Sequence, residues 1–243
     1  MGVNLKNQVG IIVGASSGMG AASAVLLAQK GMAVTLAARS GPSLASLEEQ
    51  IRKTGGEASV CQTDVTQRDN IEQMIQHTQQ KYGRIDLLLY ATGTNIPDRA
   101  LPDLLPETWN MMIETNLTGA FHCTQLALPY MRNQKQGLLI YLSTAAVGHA
   151  DISGVSYQAS KHGLSGLARG TAIEEKNNGI RTTIIFPGLT DTAILKRRPV
   201  PTDPEIIAKA MQPEDVAEAV TYVAQLHPRV AIPELWLMPS QLL

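Results

Sequence analysis

Apolar residues fall along this chain in two rhythms. Short aliphatic and β-branched runs at 9–13, 33–38, 58–62, 87–90, 138–142, 181–186 and 235–238 show little polar alternation. Runs of that kind predict strands covered on both faces. Between them, apolar positions recur at helical spacing over 19–30, 43–54, 67–81, 107–132, 157–177 and 213–225. Strands alternating with helices predict a parallel sheet, and right-handed crossovers make it doubly wound, with helices on both faces. The segment 187–213 breaks both rhythms. Its five prolines predict a long loop with at most one short helix, a candidate substrate-binding loop or lid. No repeat, low-complexity tract or linker divides the 243 residues, so a single α/β domain over 1–243 is the expectation.

Composition narrows the classes of function. A hydrophobic content of 44% supports a large core, and a formal net charge of −1 with dispersed charges argues against a nucleic-acid partner. No apolar run reaches the ~18 residues of a membrane span. The start, from Met1 to Lys6, has no hydrophobic signal core, and Lys6 stands where a myristoylation signal has Ser or Thr. Cys61 and Cys123 each lie in an apolar segment, as buried free thiols do. With the five histidines they show no metal-ligand spacing. A cytoplasmic protein with no metal, membrane or nucleic-acid partner is expected.

After the first predicted strand comes Gly14-Ala15-Ser16-Ser17-Gly18-Met19-Gly20, followed by an alanine-rich helix. Glycines there let the backbone turn tightly and approach a pyrophosphate set against the helix N-terminus. The same letters match the G-x-S-x-G elbow of α/β-hydrolases. That fold needs strands before the elbow, however, and only thirteen residues precede Gly14. Dinucleotide binding is the better reading. At the end of the second strand Ala38 replaces the carboxylate that would meet a ribose 2′-hydroxyl, and Arg39 and Ser40 follow. A guanidinium and a hydroxyl suit a 2′-phosphate. One charge-assisted contact gives about tenfold to a hundredfold preference, so the cofactor is expected to be NADP(H).

Tyr157 and Lys161 stand four residues apart ahead of Leu164, Leu167 and Ala168, and so share one face of a helix. An ammonium beside a phenol favours the phenolate. Proton transfer at neutral pH asks for a shift of about three units from the free tyrosine value, or about 4 kcal/mol, more than one lysine supplies. A third positive or hydrogen-bonding group is therefore expected.

Together these motifs resemble the short-chain dehydrogenase/reductase family, over about residues 6–224. The glycine turn matches at Gly14, Gly18 and Gly20, with Val13 where Thr is usual. Asp64, in Thr63-Asp64-Val65, matches the aspartate that meets the adenine amino group. The family's N-N-A-G turn becomes Tyr90-Ala91-Thr92-Gly93, which removes the asparagines that brace the sheet but keeps a glycine for close backbone approach. Asn116 matches an active-site asparagine that bends its helix and holds a water leading protons to the lysine. The family's hydroxyl residue falls on Thr144 by an ungapped count, with Ser143 the alternative. Pro187-Gly188-Leu189-Thr190-Asp191-Thr192 resembles the turn that holds the nicotinamide carboxamide and phosphates.

The resemblance implies a Rossmann sheet of seven parallel strands in the order 3-2-1-4-5-6-7. It also implies reversible hydride transfer between NADP(H) and a carbonyl or secondary alcohol. Tyr157 would be the general acid/base, Lys161 its tuner and the grip on the nicotinamide ribose, and the cofactor's charge the missing third group. The substrate pocket should be lined from 94–96, 149–152 and 189–195. Basic residues that dock an acyl carrier protein elsewhere in the family are incomplete here: Lys135 is present, but Asn177-Asn178 precede Gly179. A free small ketone, aldehyde or hydroxy acid is therefore preferred over a 3-oxoacyl carrier-protein or CoA substrate. A non-catalytic NADP-binding regulator is the remaining alternative, and such relatives usually lack the tyrosine or lysine. The family forms homodimers and homotetramers, to which Leu126, Leu128, Leu164 and Leu167 would contribute if they are not core.

Overall fold

A computed structural model describes residues 3–242. Its centre is one sheet built from β1 (Val9–Val13), β2 (Ala33–Ala38), β3 (Ala58–Gln62), β4 (Leu87–Tyr90), β5 (Gly137–Leu142), β6 (Ile180–Pro187) and β7 (Glu234–Leu237). All neighbours are parallel, in the order β3-β2-β1-β4-β5-β6-β7. This is the doubly wound arrangement that the alternation predicts.

Alternate strand residues feed two separate cores. Ile12, Leu36, Leu89 and Ile140 pack under α1 (Gly18–Gln29), α2 (Gly41–Lys53) and α8 (Pro213–Ala224). Ile11, Val13, Leu88, Tyr141 and Phe186 pack under α3 (Arg68–Tyr82), α5 (Gly119–Gln134) and α6 (Val155–Glu175). Strands covered on both faces have no polar side to show, which is why the sequence lacks alternation. Leu164 is fully buried in the second core, and Leu126, Leu128 and Leu167 are partly buried and pack against it. Among the described residues no helix is long and apolar enough to cross a membrane.

The continuous helix expected over 107–132 is instead three pieces. α4 (Pro106–Ile113) runs into a π turn (Glu114–Thr118) that leads into α5. A side chain on Gly119 would lie 2.6 Å from the Tyr90 hydroxyl and 2.9 Å from Val65 Cβ, so the bare backbone presses onto β4. Tyr90 Oη donates to the Thr115 carbonyl at 2.6 Å. Tyr90 thus braces the π turn from the sheet, in place of the asparagines missing from its motif. A buried partner of this kind costs roughly 1–3 kcal/mol to lose.

The segment 187–213 holds a 3-10 turn (Ala193–Arg197) and the one-turn α7 (Pro204–Ile207). Its ends are stitched together where Asp191 N donates to Met211 O and Met211 N to Leu189 O, at 2.8 and 3.0 Å. It folds over the carboxyl ends of the strands, where ligands bind in open α/β sheets.

Candidate active site

A cavity of about 390 Å³ opens between β1 and β4, where the strand order reverses. Its floor is the turn after β1. Gly14 holds φ +92° while its N–H bonds the Ala37 carbonyl at 2.8 Å, and a Cβ there would lie 2.8 Å from Thr92 N. A Cβ on Gly20 would fall 2.2 Å from the Gly14 carbonyl oxygen. Only glycine allows α1 to start this close to the turn. Ser17 makes no side-chain cap on α1, and no acidic residue stands in its first turn. The first N–H groups of α1 are thus left for an anion.

At the far rim lie Ala38, Arg39 and Ser40, with Arg39 exposed and in no ion pair among the described residues. Asp64 and Val65 form one wall. One carboxylate oxygen of Asp64 accepts from the Thr66 amide and hydroxyl, at 3.0 and 2.9 Å. Ala91, Thr92 and Gly93 form the opposite wall. The cradle fits a dinucleotide: bare backbone and free N–H groups for a pyrophosphate, and an unpaired guanidinium where a 2′-phosphate would reach.

Tyr157 and Lys161 share α6, as expected, with Lys161 Nζ 5.8 Å from the tyrosine ring centre. Lys161 is 3% exposed, and its Nζ donates to the Leu142 carbonyl at 2.9 Å. A side chain on Gly93 would lie 3.2 Å from that Nζ. Burial pulls the ammonium down to about 8. The expected lowering of the tyrosine by its lysine is corrected here. Burial, with the Asp151 carboxylate, pushes Tyr157 up to about 12; a hydrogen bond with Thr144 and the charge of Arg99 work against the rise. The physical reason is desolvation, which disfavours phenolate and ammonium alike.

Asn116 is fully buried in the π turn. Its Oδ1 accepts from Thr94 N at 2.8 Å, while its Nδ2 donates to Thr94 O and Ser160 Oγ at 3.1 and 3.0 Å. Ser160 Oγ donates in turn to the Tyr157 carbonyl at 2.8 Å. The amide therefore knits the loop after β4 to the helix that carries Tyr157. The two candidate hydroxyls diverge. Ser143 Oγ donates to the Lys161 carbonyl at 3.3 Å, whereas Thr144 Oγ1 accepts from Ala146 N at 3.3 Å and lines the second cavity with Tyr157.

A second cavity of about 260 Å³ shares Met19, Ser143, Tyr157, Thr192 and Ile194 with the first. Thr144, Pro187, Gly188 and Thr190 line this second cavity and not the first, whereas Thr192 lines both. Ser16, Ser17, Gly18 and Met19 line the first with the rest of the glycine turn. Of the segments expected around the substrate, Asn95, His149, Asp151, Leu189 and Leu195 are present in the second cavity, while Ile152 is 70% exposed outside it.

Sequence reading missed Arg99, in the loop between β4 and α4. It lines the second cavity at 6% exposure, donating to the carbonyls of Ser153 at 3.5 Å and Arg197 at 3.2 Å. Burial, then the charge of Arg198, pulls its guanidinium below the usual value. No local motif marks it. The signal that existed was Gly154, whose place before α6 and φ of +86° accommodate the arginine stem.

Comparison with known proteins agrees with this geometry. The sequence model of the short chain dehydrogenase family matches residues 8–201. An uncharacterized oxidoreductase of Staphylococcus aureus (strain USA300) is 31% identical over 235 residues, covering 97% of this chain and 98% of the relative. A metagenomic short-chain oxidoreductase solved in complex with NADP superposes with a TM-score of 0.85 at 28% identity, over 98% of this chain and 99% of its own. A dehydrogenase/reductase from Sinorhizobium meliloti 1021 gives 0.86 at 25% identity, over 97% and 95%.

Proposed function

This chain belongs to the short-chain dehydrogenase/reductase family, and on that premise we propose that it is an NADP(H)-dependent oxidoreductase interconverting a small carbonyl compound and its alcohol. The observation that carries the reading is the Tyr157 side chain, which lines both cavities where they meet, with Thr144 lining the second beside it. One cavity has the size and lining for a dinucleotide, and the other for a small substrate. The NADP-bound metagenomic neighbour supports the cofactor, as does Arg39 at the rim.

NADP(H), when bound, supplies or accepts the hydride. The glycine turn and the start of α1 would hold its pyrophosphate, Arg39 and Ser40 its 2′-phosphate, Asp64 its adenine, and Lys161 and Thr192 its nicotinamide half. In reduction, Thr144 donates a hydrogen bond to the substrate oxygen and fixes its place. Tyr157 gives its proton to that oxygen as charge develops, so the phenol O–H breaks while the alcohol O–H forms. Lys161 and Arg99 favour the phenolate left behind. Asn116 is a positioning residue, its amide engaged with Thr94 and Ser160.

The pH dependence has a definite sign. Tyr157 is protonated below about 12 and Lys161 charged below about 8. Reductive kcat/KM should stay level from neutral pH up to about 8 and fall above it as the ammonium is lost. Oxidation needs the phenolate, whose fraction grows with pH, so its kcat/KM should rise over the same range. NADPH absorbance with a panel of ketones, aldehydes and oxo esters finds a substrate and then gives both profiles. Parallel profiles in the two directions would contradict the role of Tyr157, and tight NADPH binding without turnover would favour a regulator. Exposed Phe121 on α5 with Val155 and Ile173 on α6 supports a homodimer or homotetramer, which sedimentation equilibrium checks.

A further inference from the structure

Arg99 is a charged group that the Asp151 carboxylate reaches only through space. It is 6% exposed, and among the described residues no carboxylate lies within ion-pair distance. Buried arginines are otherwise found paired. Its two protein partners are neutral backbone carbonyls, at 3.5 and 3.2 Å, long for a charged donor. The Nε–H, also buried, has no partner among the described residues.

The site is built around this side chain. A Cβ on Gly154 would lie 2.8 Å from Arg99 Cβ and 2.9 Å from Cγ, so the glycine leaves room for the arginine stem immediately before the helix of Tyr157. Arg198, half-buried in the 187–213 segment, lines the same cavity, with a single hydrogen bond to Thr202 Oγ1 at 2.8 Å. The cavity's one lining carboxylate belongs to Asp151. That residue is exposed, and its Oδ1 accepts from Ser153 N at 2.8 Å. Two guanidiniums therefore face a small cavity that a single, engaged carboxylate leaves positive.

We propose that Arg99 and Arg198 form a carboxylate-binding subsite, and that the substrate is a short oxo acid or hydroxy acid. Its carboxylate sits on the two arginines while its carbonyl or hydroxyl oxygen lies between Tyr157 and Thr144. The assignment rests on the reading of those two hydroxyls as the oxygen-binding pair. The planar guanidinium fork matches a carboxylate in two parallel hydrogen bonds, and the carboxylate supplies the acceptors that Arg99 lacks. Because Arg99 lines the same cavity as Tyr157 and packs against Gly154 at the start of its helix, the acid would also orient the reacting carbon.

The test uses matched pairs: short 2-oxo, 3-oxo and 4-oxo acids against their methyl esters, with NADPH, in wild type, Arg99→Gln, Arg99→Lys and Arg198→Gln. Wild type should prefer at least one acid over its ester by about a hundredfold in kcat/KM. Arg99→Gln should bring that ratio close to one, with Arg99→Lys recovering part of it. Arg198→Gln, which removes no core side chain, should cut it by about tenfold. A purely structural Arg99 would lower acid and ester together and leave the ratio unmoved, which overturns the subsite, as does a wild-type preference for esters. If no carbonyl of either kind is reduced, the oxidoreductase reading fails separately. Calorimetric titration of butanoate against butanamide, with NADP+ present, then decides the subsite. Butanoate binding that is lost in Arg99→Gln supports it, and equal binding of the two overturns it.

Discussion

Tyr157→Phe is expected to lower turnover by about 10²–10⁴-fold while leaving NADPH binding within a few-fold of wild type. The substitution removes one hydroxyl and keeps the ring, so the wall shared by the two cavities retains its shape. Thr144 still places the substrate oxygen, but no group there can deliver a proton to it. Single-turnover absorbance gives the rate, and fluorescence titration gives the cofactor affinity. Retention of more than a tenth of wild-type turnover would falsify the assignment. The raised phenol fits this role, since a group protonated below about 12 stands ready as an acid throughout the neutral range. Its cost falls on the oxidative direction, where the phenolate must first be formed.

Arg39→Asp should turn the cofactor preference from NADPH to NADH. The guanidinium is exposed at the cavity rim and in no ion pair among the described residues. A charge-assisted contact to a 2′-phosphate there is worth roughly 1.5–3 kcal/mol. The new carboxylate repels that phosphate and accepts from a free ribose 2′-hydroxyl, so the ratio of kcat/KM values should swing by about a hundredfold or more. Salt should weaken the wild-type preference, because an exposed charge is screened. Unchanged selectivity would remove Arg39 from the site and leave Ser40 and the helix backbone to discriminate.

Much of this protein was legible in its sequence because the relevant rules are local. The unalternating runs at 9–13, 33–38, 58–62 and 87–90 coincide with β1 to β4, since a two-sided apolar strand needs no neighbour to be recognised. The spacing of Gly14, Gly18 and Gly20 reports backbone crowding within one turn, which the 2.2 Å approach at Gly20 makes plain. The interval from Tyr157 to Lys161 is one helical turn wherever it occurs.

Tertiary structure decided what depends on distant neighbours. Asn116 looked like a residue within one long helix, but its bonds reach Thr94 and Ser160, and the helix widens into a π turn around it. Tyr90 looked like a lost asparagine and proved to be a brace for Thr115. Leu164 could have faced a partner, but burial puts it in the core.

The sequence by itself determined the order of strands and helices, the glycine turn and the shared face of Tyr157 and Lys161, all set by backbone sterics over a few residues. Only the folded chain decided the direction of the tyrosine's pKa and the part Arg99 plays in it. The rise follows from burial, and against it, after Thr144, works Arg99, a side chain held by the carbonyls of Ser153 and Arg197, residues 54 and 98 positions away. Desolvation and Coulomb interactions depend on distance in space, and no local spacing encodes that.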